Sequence, residues 1–497
     1  MHLLSPDELA KLRPAEVDSY PSPIPTQIVA SEEFMPVPQT ERQKKVEARL
    51  NDLADQYGRK NGLNRRRFFK TAAGMATAFV AMNDIYGPLF GINRAVAASV
   101  ELAAERASDL SSQFIFDGHT HFLRDDTRIK GFVEMRRAVG KAGWNPKLVG
   151  KPQTIEDLKY ENWRKEIFLD SDTKVAIISS APSDIPQDWF LTNEMTVAAR
   201  EKVNREAGSQ RLLAHAVFTP DQPGWLERVD RDIEVNKPDS FKGYTIGDNT
   251  HKDISKHPWK LSDEKLVYPF YEKILKADHN IVCIHKGLFP PSLAREFPRL
   301  LPYTNVSDVG KAAKDWPQIN FVIYHAGYRW AGAPVADAWK QFQQTGRVEW
   351  VTDLAEIPQK FGVTNVYADL GQIFALTTVS EPNIAAAMMG QLVKGLGADH
   401  VVWGTDAVWT GAPQWQIEAL RLLEIPEAMQ KKYGFQPLGR ADGPVKTAIF
   451  GGNSARLYNY KIKKAGLETD RFAALKAEYE RGGRDPSNLR YGYVLKG

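Results

Sequence analysis

The hydrophobic pattern of the chain changes after residue 110, where short apolar runs begin to recur. Eight such runs are rich in β-branched and aromatic residues and are separated by more polar segments. They cover residues 113–119, 174–181, 212–219, 241–247, 280–286, 319–325, 365–371 and 400–406. Each run is almost continuously apolar rather than alternating, which is typical of strands covered on both faces. The pattern therefore predicts eight buried strands.

Amphipathic stretches separate these runs and predict helices. They cover residues 189–207, 222–236, 305–315, 334–345 and 384–396. One further stretch begins at Ser262, which we expect to cap a helix. The apolar face of that helix repeats at Leu266, Phe270 and Ile274, four residues apart.

This alternation of strands and helices predicts an α/β fold, a (β/α)8 TIM barrel over residues 110–462. The rival is an open doubly wound sheet, but no glycine-rich phosphate loop follows the first run. Insertions at 123–173 and 287–304, in the loops after strands 1 and 5, are expected to cover the barrel mouth. Residues 463–497 are expected to form a helical tail.

Polar side chains that can bind metal close five of the apolar runs. They are His119, His121, His285, His325, Asp369 and Asp406. Because side chains alternate along a strand, the His119 and His121 imidazoles point to one face. Histidines and a carboxylate from several strand ends can hold a divalent metal such as zinc, with a position left open for water or substrate. This constellation predicts an enzyme.

The first hundred residues carry a pattern typical of export signals. Residues 1–63 are rich in proline and charge and are expected to form a partly disordered or helical extension. Residues 64–98 contain NRRRFFK, a short weakly apolar stretch and an Ala-x-Ala site, which resembles a twin-arginine export signal. We therefore expect recognition by twin-arginine export machinery and a periplasmic location. The alternative is a cytoplasmic protein whose basic helix packs on the domain or touches a membrane.

Composition excludes several other classes of function. The formal net charge is +4 and no basic stripe with interleaved aromatics occurs, so nothing indicates nucleic-acid binding. The apolar stretch after NRRRFFK is shorter than the ~20 residues of a stable membrane span. The single cysteine, Cys283, excludes an intramolecular disulfide and is expected to be a buried small hydrophobe. A small-molecule substrate is the expected partner, and a homo-oligomer stays open.

Short motifs at the ends of four runs resemble those of a known family. FDGHTHF closes the first run, IHKG the fifth, YHAG the sixth and WGTD the eighth. With the closing GGNSARLY (451–458), they resemble the amidohydrolase superfamily, in the amidohydrolase 2 branch that includes aminocarboxymuconate-semialdehyde decarboxylase. The resemblance spans roughly residues 113–462 and implies a barrel with a metal site.

The resemblance also implies roles for individual residues. One divalent ion, zinc most often and manganese as the alternative, would be ligated by His119, His121, His285 and Asp406. His325 would lie beside the metal as a catalytic histidine. Asp406, next to a metal-activated water, is placed to take its proton.

The fourth strand indicates a single metal rather than two. Binuclear members of the superfamily bridge their metals with a carboxylated lysine on this strand. Here the strand end has Gly243, Tyr244 and Thr245, and Lys242 falls too early in the register. We therefore expect a mononuclear site.

Other polar residues have weaker assignments. Arg124 and Arg329, which follow two of the motifs, are candidates to bind a substrate carboxylate, although solvated surface roles are equally expected. Trp409 is a candidate to wall the substrate pocket. Asp369 is expected to cap the turn after its strand, and His215 to be a hydrogen-bonded core histidine.

The first functional hypothesis is a metal-dependent hydrolase that uses a metal-activated water on an ester, lactone or amide carbonyl. Asp406 acts as the base and His325 assists at the developing oxyanion. The alternative is a nonoxidative, metal-dependent decarboxylase of an aromatic or unsaturated carboxylic acid, with the same ligands. A third hypothesis is a noncatalytic binding barrel.

Overall fold

Eight parallel strands are hydrogen-bonded in chain order in this computed structural model. They are β1 (Phe116–Thr120), β2 (Val175–Ile178), β3 (Leu212–Val217), β4 (Ser240–Tyr244), β5 (Ile281–His285), β6 (Asn320–Tyr324), β7 (Val366–Asp369) and β8 (Val401–Val402). The two edges meet, since Gly118 N donates to Trp403 O at 2.9 Å and Asp406 N donates to His119 O at 2.8 Å. The predicted (β/α)8 TIM barrel is confirmed. The structure describes residues 22–26, 37–129, 134, 155–462 and 470–483.

The carboxyl ends of the strands carry the polar residues that the sequence singled out. His285 is the last residue of β5, Asp369 is the last residue of β7, and His325 directly follows β6. The strand residues before them are buried on both faces, as continuous apolar runs require. Because all eight strands are parallel, these ends gather at one mouth of the barrel.

Helices fill the connections and precede the barrel. They are α1 (Glu41–Lys60), α2 (Arg65–Phe69), α3 (Ala72–Tyr86), α4 (Arg94–Ala97), α5 (Val100–Leu110), α6 (Tyr160–Phe168), α7 (Asn193–Ala207), α8 (Trp225–Arg231), α9 (Tyr268–Lys276), α10 (Pro291–Glu296), α11 (Leu301–Thr304), α12 (Val309–Asp315), α13 (Val335–Thr345), α14 (Val351–Ala355), α15 (Ile357–Phe361), α16 (Ile373–Ser380), α17 (Pro382–Gly395), α18 (Gln414–Leu422), α19 (Glu427–Tyr433), α20 (Pro444–Thr447), α21 (Asn453–Leu457) and α22 (Arg471–Arg481). Each of the five amphipathic stretches overlaps a helix.

The helix expected after Ser262 begins later than predicted. Helix α9 starts at Tyr268, with Pro269 in its first turn. Proline has no backbone N–H, so it suits the first turn of a helix and is disfavoured in the interior. The preceding residues form turns in which the Asp263 side chain accepts from the backbone N–H of Leu266 at 3.0 Å. The predicted cap at Ser262 is therefore wrong.

The N-terminal helices α1 to α5 pack against the barrel helices that follow β7 and β8. Gln43 Nε2 donates to the carbonyl of Val379 at 3.1 Å, and Arg106 pairs with Glu418 at 2.8 Å. The chain around Phe90 forms an antiparallel bridge with Leu423. This helical layer therefore lies on one side of the barrel.

The segment expected to direct export, residues 64–98, lies in this layer. Arg66 is exposed on α2, whereas Arg65 is half-buried and lies 3.6 Å from Asp55. Phe68 on α2 and Phe79 on α3 are fully buried. Among the described residues, none of the helices has the length and apolar character needed to span a membrane. Export stays a prediction.

The structure describes only part of the predicted insertions and of the predicted C-terminal tail. Residues 1–21, 27–36, 130–133, 135–154, 463–469 and 484–497 lie outside the described residues. The connection after β5 contains α10 and α11 and returns to the barrel where Gly287 N donates to Thr304 O at 2.8 Å. Helix α22, in the predicted tail, is held by Asp470, which accepts from Arg211 at 2.5 and 2.8 Å.

Candidate metal centre

Three side-chain donor atoms converge at the mouth of the barrel. His119 Nε2 and His121 Nε2 lie 3.1 Å apart, and they lie 3.2 and 3.4 Å from Asp406 Oδ1. All three residues are buried, and this group is the one cluster among the described residues that is suited to hold a metal ion. Residues from β1 and from the segment after β8 are thus brought together, as expected of a barrel that closes between these strands.

Hydrogen bonds at the far nitrogens orient both imidazoles. His119 Nδ1 lies 2.8 Å from Asp369 Oδ1, and His121 Nδ1 lies 3.0 Å from the carbonyl oxygen of Ser179. A carbonyl can only accept, so Nδ1 of His121 carries the hydrogen and its Nε2 keeps the lone pair. Burial, and then the charge of Lys242, lowers the pKa of His121 to about 3 and that of His119 well below its usual value.

This donor set fits a divalent metal. Zinc and manganese sites in proteins use neutral imidazole nitrogens and carboxylate oxygens, with the second nitrogen of each histidine hydrogen-bonded. Here the two imidazoles are neutral, their far nitrogens are engaged, and an aspartate oxygen faces both free ends. The residues present therefore match the requirements of a single divalent ion.

Asp117 ties the two metal-site strands together and was not singled out from the sequence. Its Oδ1 accepts from the backbone N–H of His119 at 3.1 Å and of Thr405 at 3.0 Å. Its Oδ2 accepts from the Thr405 hydroxyl at 2.5 Å. These bonds fix the backbone on either side of the gap between His119 and Asp406. Burial raises the pKa of Asp117 to about 7.

The backbone of two site residues is unusual. Asp406 has φ of 61° and His325 has φ of 60°, in the left-handed region that residues other than glycine rarely adopt. Such conformations cost on the order of 1–3 kcal/mol and cluster where a side chain must be aimed at a site. Both residues belong to the set predicted from the sequence.

His285 lies beside His325 rather than within the three-residue cluster. His285 Nδ1 and His325 Nε2 are 3.1 Å apart, and His325 Nδ1 donates to the carbonyl of Gly371 at 2.9 Å. Because neutral His325 has one ring N–H and donates it to the Gly371 carbonyl, its Nε2 accepts a hydrogen bond from His285 Nδ1–H. That tautomer leaves Nε2 of His285 with a lone pair, which suits the ligand role implied by the resemblance. The rings of His325 and His119 are 5.0 Å apart between centroids, so the pair adjoins the cluster.

A small cavity of about 10 Å³ lies beside His285, and two lysines are among its lining residues. Its lining includes Asn249, Lys252, Lys286 and Thr304, and no carboxylate from the described residues. Asn249 and Lys252, which lie in the connection after β4, could not be selected from any local sequence pattern.

The two lysines of this cavity differ in their contacts. Lys286 is buried, and its Nζ pairs with Asp308 at 2.9 Å. Lys252 Nζ donates to the carbonyl of Asn249 at 2.9 Å. Burial lowers the pKa of His285 well below its usual value, with further lowering by His325, Lys242 and Lys252, so His285 is neutral.

The three candidate substrate-binding residues lie in different settings. Arg124 forms a two-point ion pair with Asp126 at 2.6 and 2.8 Å, and Arg329 pairs with Glu349. Neither arginine lines the cavity beside His285. Trp409 is buried and stacks on His121, with ring centroids 5.7 Å apart and planes 17° apart. Trp409 therefore supports a metal-site histidine directly.

Lys242, Asp369 and His215 lie close to the centre. Tyr244 aligns with His285 across the β4–β5 pair, so Lys242 lies one inward-facing position below it, with Nζ 3.1 Å from the Tyr324 ring centroid. Asp369 Oδ1 accepts from Gly371 N at 3.0 Å, which is the turn-capping contact expected from the sequence. His215 is fully buried, with Nε2 3.4 Å from the Tyr458 hydroxyl.

Solved structures of several proteins resemble this chain at low identity. An uncharacterised TIM-barrel protein from Bordetella bronchiseptica is 14% identical, with a TM-score of 0.44, over 70% of this chain and 98% of that one. A 2,6-dihydroxybenzoate decarboxylase from Rhizobium is 14% identical, with a TM-score of 0.38, over 70% and 99%. A dihydroxybenzoic acid decarboxylase from Polaromonas, with bound manganese, is also 14% identical, with a TM-score of 0.38, over 70% and 97%.

A family model covers the barrel itself. No curated protein matches the chain. The Amidohydro_2 model, described as amidohydrolase, matches residues 116–460, from the first residue of β1 to just after the end of α21. This match covers more than half of the chain and includes all the metal-site residues. The chain therefore belongs to the amidohydrolase family.

Proposed function

We propose that the protein is a metal-dependent hydrolase that acts on the carbonyl carbon of an ester, a lactone or an amide. The observation that carries the proposal is the convergence of His119 Nε2, His121 Nε2 and Asp406 Oδ1 within 3.1–3.4 Å. When bound there, a divalent ion, zinc or manganese, supplies a Lewis acid and lowers the pKa of water toward ~7.

The side chains around this point divide the proton transfers. Asp406 takes the proton of the attacking water at its carboxylate, because Oδ1 of this carboxylate faces His119 and His121. His325 adjoins both His119 and His285, and it would take a proton at Nε2, in place of the hydrogen bond from His285, and pass it to the leaving group. Trp409 and the buried strand ends exclude bulk water from this region.

Nonoxidative decarboxylation of an aromatic or unsaturated acid is the second candidate. The observation that favours it is Lys252 at the cavity beside His285, where the second lysine, Lys286, is paired with Asp308. An ammonium group such as that of Lys252 favours a carboxylate-bearing substrate over a neutral ester.

One experiment separates these candidates. The purified full chain is stripped with a chelator, reloaded with zinc or manganese, and assayed against esters, lactones, amides and aromatic acids. Metal-dependent hydrolysis that is lost in Asp406→Asn supports the hydrolase. Metal-dependent release of CO₂ without hydrolysis overturns it in favour of the second candidate. A folded protein that binds no metal and turns over none of these substrates is a noncatalytic barrel.

We further propose that residues 64–98 direct export through twin-arginine machinery. The exposed Arg66 at the start of α2 supports this proposal. Cell fractionation of the full chain should find it in the periplasm, and the double change Arg65→Lys/Arg66→Lys should retain it in the cytoplasm. The matched control is Arg59→Lys, an exposed arginine on α1 outside the motif. Equal distribution of all three proteins contradicts the proposal.

A further inference from the structure

A single oxygen of Asp369 contacts His119, which belongs to the candidate metal cluster, and His325, which lies beside that cluster. Its Oδ1 accepts from His119 Nδ1 at 2.8 Å, from the backbone N–H of His325 at 3.4 Å and from Gly371 N at 3.0 Å. Asp369 and His119 are both buried, the aspartate completely. A residue that only capped the turn would need the Gly371 contact alone.

Two glycines leave the room that the Asp369–His119 pair occupies. A Cβ atom at Gly371 would lie 2.2 Å from His119 Nδ1, and one at Gly404 would lie 2.0 Å from Asp369 Oδ2. Real Cβ atoms do not approach other heavy atoms this closely. The pair is therefore enclosed by backbone from the segments after β7 and β8, and neither partner has space to rotate away.

The contact decides which nitrogen of His119 faces Asp406. A carboxylate that holds Nδ1–H leaves the lone pair on Nε2, and such carboxylate–histidine pairs also make the imidazole a stronger ligand. His119 Nε2 is the nitrogen that lies 3.2 Å from Asp406 Oδ1.

We propose that Asp369 is a positioning residue that fixes the tautomer and orientation of His119 for metal binding. The proposal rests on the proposed metal-dependent function, and it assigns to Asp369 a share of the metal affinity itself. Through the backbone N–H of His325, the same oxygen also sets the place of the second histidine pair.

The test is a comparison of metal affinity in Asp369→Asn and Asp369→Ala, measured with a competing chelating dye for zinc and for manganese. Asparagine keeps an acceptor but loses the charge, so its affinity should fall about 10-fold, and that of alanine about 100-fold. In a His119→Ala background, Asp369→Asn should cause no further loss, because the two changes act on one interaction. The control is Asp232→Asn, a buried carboxylate held by Asn193 and Asn236 away from the site.

A purely structural role predicts a different result. Asp369→Asn would then lower the melting temperature of the metal-free protein while the folded fraction bound metal as tightly as the unmodified chain, which overturns the proposal. Equal affinities overturn it even where hydrolysis is found. A tenfold loss upholds it even where no ester, lactone or amide is cleaved, so the two proposals fail separately.

A second pair of variants covers the case in which Asp369→Asn does not fold. Gly404→Ala places a methyl group against Asp369 Oδ2 and, less closely, against His119 Cβ, so it disturbs the Asp369–His119 pair, whereas Gly452→Ala places one 3.5 Å from its nearest neighbour, Thr447 O. Gly404→Ala should weaken metal binding at least 10-fold and Gly452→Ala should leave it unchanged. Equal metal affinity in these two variants contradicts the proposal.

Discussion

The site has two halves that both contain histidines, but the histidines of the two halves have different hydrogen-bond partners. One side, which we call the carboxylate side, consists of residues in or just after β1, at the end of β7 and in the segment after β8: His119, His121, Asp369 and Asp406. On the other, the imidazole side, His285 and His325 follow β5 and β6 and contact each other at 3.1 Å. Both halves are buried, so the difference lies in their hydrogen-bond partners.

The partners decide what each half can do. On the carboxylate side each imidazole spends its N–H on a fixed acceptor, and both Nε2 atoms face Asp406. On the imidazole side a chain of hydrogen bonds runs from the Gly371 carbonyl through His325 to His285, and Lys252 borders the adjoining cavity. The carboxylate side thus has the donor set of a cation site, whereas the imidazole side is a chain of neutral donors and acceptors that ends beside a small cavity.

The largest effect should follow from breaking the carboxylate side at Asp406. Asp406→Asn removes a metal ligand and the proposed general base, so kcat/KM should fall about 10³–10⁴-fold. Metal content per protein, measured after dialysis, should fall as well. Asp399→Asn, which changes an exposed aspartate just before β8, is the control. Near-normal metal content and rate in Asp406→Asn would remove the basis of the carboxylate side.

Breaking the imidazole side should lower the rate while leaving the metal in place. His325→Asn removes the proposed proton carrier, so kcat should fall about 10²-fold, while metal affinity changes less than it does in Asp406→Asn. Steady-state kinetics at saturating metal, together with metal titration, measure the two effects. His400→Asn, on a half-buried histidine before β8 and outside the site, is the control. A larger loss of metal affinity than of rate would show that the two halves are not divided as proposed.

The third prediction concerns Asp117, which joins β1 to the segment after β8 and so holds the carboxylate side together. Asp117→Asn keeps the side-chain shape but puts a donor against either the Thr405 hydroxyl or the backbone N–H groups. The free energy of unfolding should fall by about 1–3 kcal/mol, and metal affinity should fall with it. Urea denaturation of the metal-free protein measures the first effect. Thr405→Ser keeps the hydroxyl and should stay close to the unmodified chain, whereas equal stability of Asp117→Asn would show that this network does not hold the carboxylate side.

The sequence predicted the residues of the carboxylate side better than the hydrogen bonds that hold them in place. Continuous apolar runs locate strand ends, and parallel strands bring those ends together, so His119, His121 and Asp406 could be grouped in advance. The supports escaped because their contacts join positions 288 residues apart for Asp117 and Thr405, and 250 apart for His119 and Asp369. Nothing in a local pattern tells a turn-capping aspartate from one that also holds a distant imidazole.

Other regions show the same limit. The apolar stretch in residues 64–98 could be recognised as weakly hydrophobic and short, but not as a buried helix, because its partners follow β7 and β8. Lys252 lies in a polar loop and acquires its place beside His285 only when β4 and β5 pair. The arginines that the motifs suggested, Arg124 and Arg329, are each paired with a nearby carboxylate, and their role in substrate binding stays a prediction.

The smallest effect concerns Lys252 and tests whether the imidazole side receives an anion. Lys252→Met keeps the length of the side chain and removes its charge, so KM for a carboxylate-bearing substrate should rise about 10-fold, a loss of ~1.4 kcal/mol in binding. KM for a matched neutral methyl ester should not change, because a neutral group gains little from the ammonium. Lys256→Met, on an exposed lysine four residues along the same loop, is the control. If acid and ester lose equally in Lys252→Met, the lysine supports the loop rather than the substrate, and the cationic cavity no longer distinguishes the two halves.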